Sequence, residues 1–170
     1  NLNVGSLENA QSIAKIIQEF NKVLNKLNPS LLIIFGDTNT TAAAAITGKH
    51  LNIKTLHIEA GERVFDQKDN PEETNRLITD AISDYFITSS IVSKKNLINE
   101  GKNKKKIFFT GDILFDLLLE KLKKIDFKNN LKMDKYNLNT NNYLFATIHR
   151  KENTIPDNLN KILKILDNNK

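Results

Sequence analysis

Five short apolar runs, each cut off by a glycine or a polar residue and separated from the next by a helix-patterned stretch, constrain this 170-residue chain more than any other feature. Leu31–Phe35 is continuous and closes at Gly36 and Asp37, the pattern of a strand buried on both faces. Lys54–Ile58, Tyr85–Thr88, Lys106–Thr110 and Tyr143–Ile148 repeat the pattern, the last closed by His149. Between them the spacing predicts helices. Apolar residues recur at helical intervals from Leu7 to Leu27, ahead of Pro29, and the small-residue stretch Thr41–Thr47 suits a helix packed closely on a sheet. Pro71 with Glu72 and Glu73 opens a helix reaching about Ser83. Ser90 or Ser93 caps another that stops at Gly101, Leu114–Ile125 is helical by spacing, and a last helix starts near Pro156. Strands alternating with helices imply an open, doubly wound α/β layer: a parallel sheet covered on both faces. Residues 1–125 read as one domain and the polar, Asn- and Lys-rich residues 126–142 as a linker. Residues 143–170 read as the first βα unit of an incomplete second domain.

Composition removes several classes of function. The absence of cysteine excludes disulfides, thiolate metal sites and a thiol nucleophile. No run of eighteen apolar residues and no leader pattern occur, so a cytoplasmic protein without a membrane partner is expected. The net charge of +5 comes from scattered lysines without interleaved aromatics, which reads as a solvated surface and not as a nucleic-acid site. The six glycines stand singly, so neither a G-x-G-x-x-G dinucleotide loop nor a Walker loop is present.

In an open parallel sheet, ligands bind outside the carboxyl ends of the strands. That rule selects Gly36-Asp37-Thr38, the stretch His57 to Arg63, Gly111-Asp112 and His149-Arg150, with the helix start Pro71 to Arg76 among them. The chain has 22 lysines and only three arginines, Arg63, Arg76 and Arg150, and all three fall in these clusters. A guanidinium grips carboxylates and phosphates in a planar, two-pronged way that an ammonium cannot copy. The alternative for Arg63 and Arg76 is a structural ion pair, for example Arg63 with Glu72. Asp37, Glu59, Glu72 and Glu73 would bring several carboxylates to one crevice, where like charge and burial separate an acid from a base. Such a set also suits a divalent metal held by oxygen, and Asp37 alone could be a helix cap. His57, inside an apolar strand, reads as a packed side chain; His50 reads as surface; His149 points toward the crevice as a proton-transfer candidate.

Taken in order, Gly36-Asp37-Thr38, His57-x-Glu59-Ala60-Gly61-x-Arg63, Pro71-Glu72-Glu73-x-Asn75-Arg76, Gly111-Asp112 and His149-Arg150-x-Glu152-Asn153 resemble the UDP-N-acetylglucosamine 2-epimerase family. The resemblance implies two Rossmann-like domains of the glycosyltransferase-B type with the active site between them. It implies interconversion of UDP-N-acetylglucosamine and UDP-N-acetylmannosamine, by anti elimination of UDP to a 2-acetamidoglucal and re-addition with inversion at C2. That activity would serve cell-surface polysaccharide synthesis. By matching motif positions, Asp37, Glu59, Glu72 and His149 are implied to be catalytic. Arg63, Arg76, Arg150 and Glu73 are implied to bind the sugar nucleotide, Glu73 also being a candidate for a neighbouring regulatory site. Neither a cofactor nor a metal is expected, and the complete form is expected to be a homodimer. Glu62 stands where many relatives carry leucine and adds an anion near Arg63. On the same comparison, an amino-terminal strand with its glycine loop and most of a second domain are expected to be missing from this chain. Two other outcomes share these motifs: the hydrolysing branch, which releases free N-acetylmannosamine, and a non-catalytic sugar-nucleotide-binding fragment. A glycosyltransferase shares the fold, but the Glu59 and Glu72 motifs argue against it.

Overall fold

The computed structural model describes residues 2, 4, 7–65, 70–124, 135–136, 138, 143–149 and 151–168, the side chains of 151 and 152 excepted. The chain divides into two compact units, residues 1–123 and 124–170.

The first unit opens with α1 (Asn9–Leu27), two residues later than its apolar spacing begins, and α1 ends where Asn28 turns left-handed and returns its N–H to the Leu24 carbonyl at 2.8 Å. Strand β1 (Leu31–Phe35) follows, then α2 (Asn39–His50), β2 (Lys54–Ile58), α3 (Pro71–Ile82), β3 (Tyr85–Thr88), α4 (Ile91–Asn99), a 3₁₀ turn (Lys104–Lys106), β4 (Ile107–Phe109) and α5 (Ile113–Lys124). Side chains cap three helices: Thr38 accepts from the Thr41 N–H, Asn70 from Glu73 and Ser90, one of the two serines the sequence offered, from Ser93.

All four strands are parallel and lie in the order β1-β2-β3-β4. Ile34, His57, Phe86 and Ile107 are registered neighbours across the sheet, so their side chains share one face. Ile34 packs on Ala44 and Ala45 of α2, His57 bonds Asp80 of α3, and Phe86 and Ile107 cluster with Leu97 of α4. Three successive helices therefore cover the same face. Right-handed crossovers between strands that advance without reversing have no other choice. Burying a side chain the size of Phe86 or Leu97 contributes about 2 to 3 kcal/mol, so this face carries much of the unit's stability.

The α/β layer and parallel sheet expected from the sequence are present. On the face opposite α2, α3 and α4, Leu31, Ile33, Phe35 and Phe108 are exposed among the described residues. An uninterrupted apolar run reports that both faces of a strand are apolar; it does not report which segment covers each.

In the second unit, α6 (Lys151–Thr154) and α7 (Pro156–Asp167) are helical. Tyr143–Ile148, expected as a strand, has no regular structure, and Tyr143, Leu144 and Phe145 are exposed. A strand exists only as a partner in a ladder, and among the described residues none pairs with this segment. Most of the expected linker, including 126–134 and 139–142, lies outside the described residues.

Candidate functional site

The carboxyl ends of β1 and β2 are joined by hydrogen bonds that bring two polar turns together. Gly36 takes a φ of 70°, which turns the chain out of β1, and its N–H donates to the Ile58 carbonyl at 3.1 Å. Asp37 follows. It is not the helix cap; Thr38 fills that place, and the Asp37 carboxylate accepts a bond from the Arg76 guanidinium of α3. Asn75 on α3 donates to the Asp37 carbonyl at 2.9 Å and to Asn39 at 3.0 Å.

Glu59, the first residue past β2, has a φ of 68°, a conformation a side-chain-bearing residue adopts only under constraint from its surroundings. The constraint is visible: the next N–H, of Ala60, bonds the Ile87 carbonyl at 3.0 Å, and Gly61 is held by Asp80. The Glu59 carboxylate lies over Gly36, whose missing Cβ would come within 3.5 Å of its Oε2. Burial pushes the Glu59 carboxyl above the ordinary value, and the negative charges of Asp37, Asp112 and Glu62 push it further, with His57 opposing them. Ile58, Glu59, Ile87, Ser89, Thr110 and Gly111 line a depression of about 140 Å³ at the carboxyl ends of β2, β3 and β4. Ligand pockets run from roughly 300 to 1,000 Å³, so this depression accommodates part of a ligand.

The other expected site residues divide. Glu72 is exposed on the first turn of α3. Glu73, one residue on, is buried; it accepts the N–H groups of Val64 and Phe65 at 3.1 and 3.3 Å and pairs with Arg76 at 3.1 Å. Arg76 thus bridges Glu73 and Asp37. Arg63 is also engaged within the protein, but not with Glu72: it meets Glu100 at 2.7 and 2.6 Å, Asp80 at 2.8 Å and the Glu62 carbonyl at 2.7 Å, with its side chain 2% exposed. Its geometry is that of the structural ion pair. His149 belongs to the second unit, where its side chain is exposed just before α6. Arg150 lies outside the described residues.

Three residues matter more than the sequence suggested. Asp80 is buried and accepts from His57, Gly61 and Arg63. The signal for it was an acid inside the last turn of a helix, four residues after Arg76 and between Thr79 and Ala81. Asp112 contributes to the field at Glu59. Glu62 accepts the hydroxyls of Ser89 and, at 2.6 Å, Ser93, so the extra anion sits at the amino end of α4, where the helix dipole favours it. His57 is packed and hydrogen-bonded, as its place in an apolar strand implied. Among the described residues no group of three or more His, Asp or Glu is arranged to hold a metal ion.

The arrangement offers proton transfer at Glu59 beside a second carboxylate, Asp37, at the carboxyl ends of β1 and β2. Comparison with known proteins places this geometry in context. A family model described as UDP-N-acetylglucosamine 2-epimerase matches residues 1–170. A UDP-N-acetylglucosamine 2-epimerase homolog of Methanococcus maripaludis is 43% identical over 164 residues, which are 96% of this chain and 45% of that protein. The crystal structure of Methanocaldococcus jannaschii UDP-GlcNAc 2-epimerase in complex with UDP-GlcNAc and UDP superposes with a TM-score of 0.81 at 37% identity, over 98% of this chain and 45% of the other. The UDP-N-acetylglucosamine 2-epimerase of Rickettsia bellii superposes at 0.84 with 33% identity, over 97% of this chain and 43% of that one. The chain therefore spans less than half the length of these relatives.

Proposed function

This chain belongs to the UDP-N-acetylglucosamine 2-epimerase family, and on that premise we propose that it carries the catalytic carboxylates of an enzyme interconverting UDP-N-acetylglucosamine and UDP-N-acetylmannosamine. The observation that supports this most is Glu59, which burial and three anionic neighbours push toward holding a proton, standing over Gly36 beside Asp37. Inversion at C2 by elimination and re-addition of UDP needs one group that removes the C2 proton from one face and another that delivers a proton to the opposite face. A carboxyl with raised proton affinity next to a second carboxylate suits that demand.

In this reading Asp37, Glu59, Glu72 and His149 act on the sugar and the departing diphosphate, and Arg150 contacts the nucleotide. Arg76, Arg63 and Glu73 act from behind, holding the turns that present Asp37 and Glu59. A homodimer in the complete protein and a cytoplasmic location belong to the same proposal and rest on the family resemblance.

The test is proton NMR of UDP-N-acetylglucosamine incubated in heavy water with the complete protein. The expected result is deuterium at C2 and new anomeric signals of UDP-N-acetylmannosamine. Release of free N-acetylmannosamine with UDP would assign the hydrolysing branch. Retention of the C2 proton with no new product would overturn the proposal.

A further inference from the structure

The pair His57 and Asp80, which the proposed chemistry does not use, has hydrogen bonds that admit a single proton count. His57 is 0% exposed, its Nδ1 lies 2.6 Å from Asp80 Oδ1, and its Nε2 lies 2.8 Å from the Gly36 carbonyl oxygen. A carbonyl only accepts, so Nε2 carries a proton. The second Asp80 oxygen accepts the Gly61 N–H at 2.9 Å and the Arg63 guanidinium at 2.8 Å. Asp80 is 0% exposed and its Oδ2 meets two donors, one of them a guanidinium, which favours the ionised carboxylate. An ionised carboxylate also only accepts, so Nδ1 carries a proton as well. Charge counting agrees. Arg63 faces two carboxylates, Asp80 and Glu100, and a second cation at His57 brings the group to neutrality.

We infer that His57 is held as a doubly protonated imidazolium that ties the Gly36 turn to the Gly61 turn and, through its charge, serves as a positioning residue for Glu59. Its two bonds reach the residue before Asp37 on one side and, through Asp80, the Gly61 amide just past Glu59 on the other. Both carboxylate-bearing turns are thereby fixed to one ring. The charged groups around it are Asp80 from α3, Arg63 through Asp80, and Glu59 beyond its own strand. At Glu59 the imidazolium opposes Asp37, Asp112 and Glu62. Removing it would take away that opposition.

The protonation state stands on hydrogen-bond geometry; the effect on Glu59 rests on the proposed chemistry. Nitrogen-15 NMR of the full protein labelled in its histidine rings tests the first. His57 signals are identified by their loss in H57Q or, should that variant not fold, by their displacement in D80N, which keeps the ring. Both ring nitrogens are expected to be of the protonated type at pH 7, whereas one unprotonated nitrogen there would overturn the inference whatever the activity. The second is read from the pH profile of C2 proton exchange. In H57Q the acid limb should move up, the direction expected when an opposite charge is taken from beside a carboxylate. An unmoved limb would refute the role at Glu59 while leaving the imidazolium to the NMR result. No exchange in the unaltered protein would refute the epimerase reading and leave the NMR result standing.

Discussion

Glu59 and Arg63 stand four positions apart in one turn, yet the fold gives them opposite environments. Glu59 borders a depression and is surrounded by negative charge, whereas the Arg63 guanidinium is enclosed by Asp80, Glu100 and a carbonyl. E59Q keeps the shape and removes the titrating group, so C2 exchange should fall at least about 100-fold, as for loss of a general acid or base, with the urea midpoint little changed. R76K tests the bridge between Asp37 and Glu73. A lysine cannot span both carboxylates with one planar group, and the buried Glu73 would lose a charge-assisted partner. Chemical denaturation should register a loss of about 1 to 3 kcal/mol. The placement of Asp37 and Glu59 at the carboxyl ends of β1 and β2 was legible from the apolar runs before them. The true partners of Arg63 were not, because Asp80 and Glu100 lie 17 and 37 residues along the chain and only packing brings them near.

Helix α3 organises the site at the level of elements. Its first turn carries Glu72 and Glu73, its second Asn75 and Arg76, and its last Asp80, so one rigid rod holds the turns after β1 and β2. The Gly61 turn also packs directly on α4: a Cβ there would lie 2.3 Å from the Ser93 carbonyl oxygen, and φ is +81°. G61A should therefore cost about 3 kcal/mol or more, combining left-handed strain with overpacking. Gly101 has a similar φ of +82° but nothing within 4 Å, so G101A should cost only about 1 kcal/mol; equal losses in thermal unfolding would contradict the steric argument. Caps, prolines and apolar spacing located these helices within a few residues, since those signals are local.

The whole molecule should record the buried cluster as acid sensitivity. Asp80 is held below the value of 3.8 in the folded state, so its contribution to stability is complete above that pH and is lost as pH falls through the folded value. Glu59, raised above 4.5, works the other way: its cost grows as pH rises past that point. Urea midpoints measured from pH 7 down to about pH 2 should fall steeply below pH 4 in the unaltered protein. In D80N they should start about 3 kcal/mol lower at pH 7, because the variant breaks a buried ion cluster, and show a shallower acid limb. An unchanged slope would assign the acid sensitivity elsewhere. The order of strands and helices in the first unit, the parallel sheet and the placement of Asp37 and Glu59 after strands follow from local pattern, because periodicity and strand ends are properties of adjacent residues. The imidazolium at His57, the closure of Arg63 within the protein and the exposed second face of the sheet depend on which distant groups packing brings together. Burial and Coulomb fields act through space, and no arrangement of neighbours along the chain specifies them.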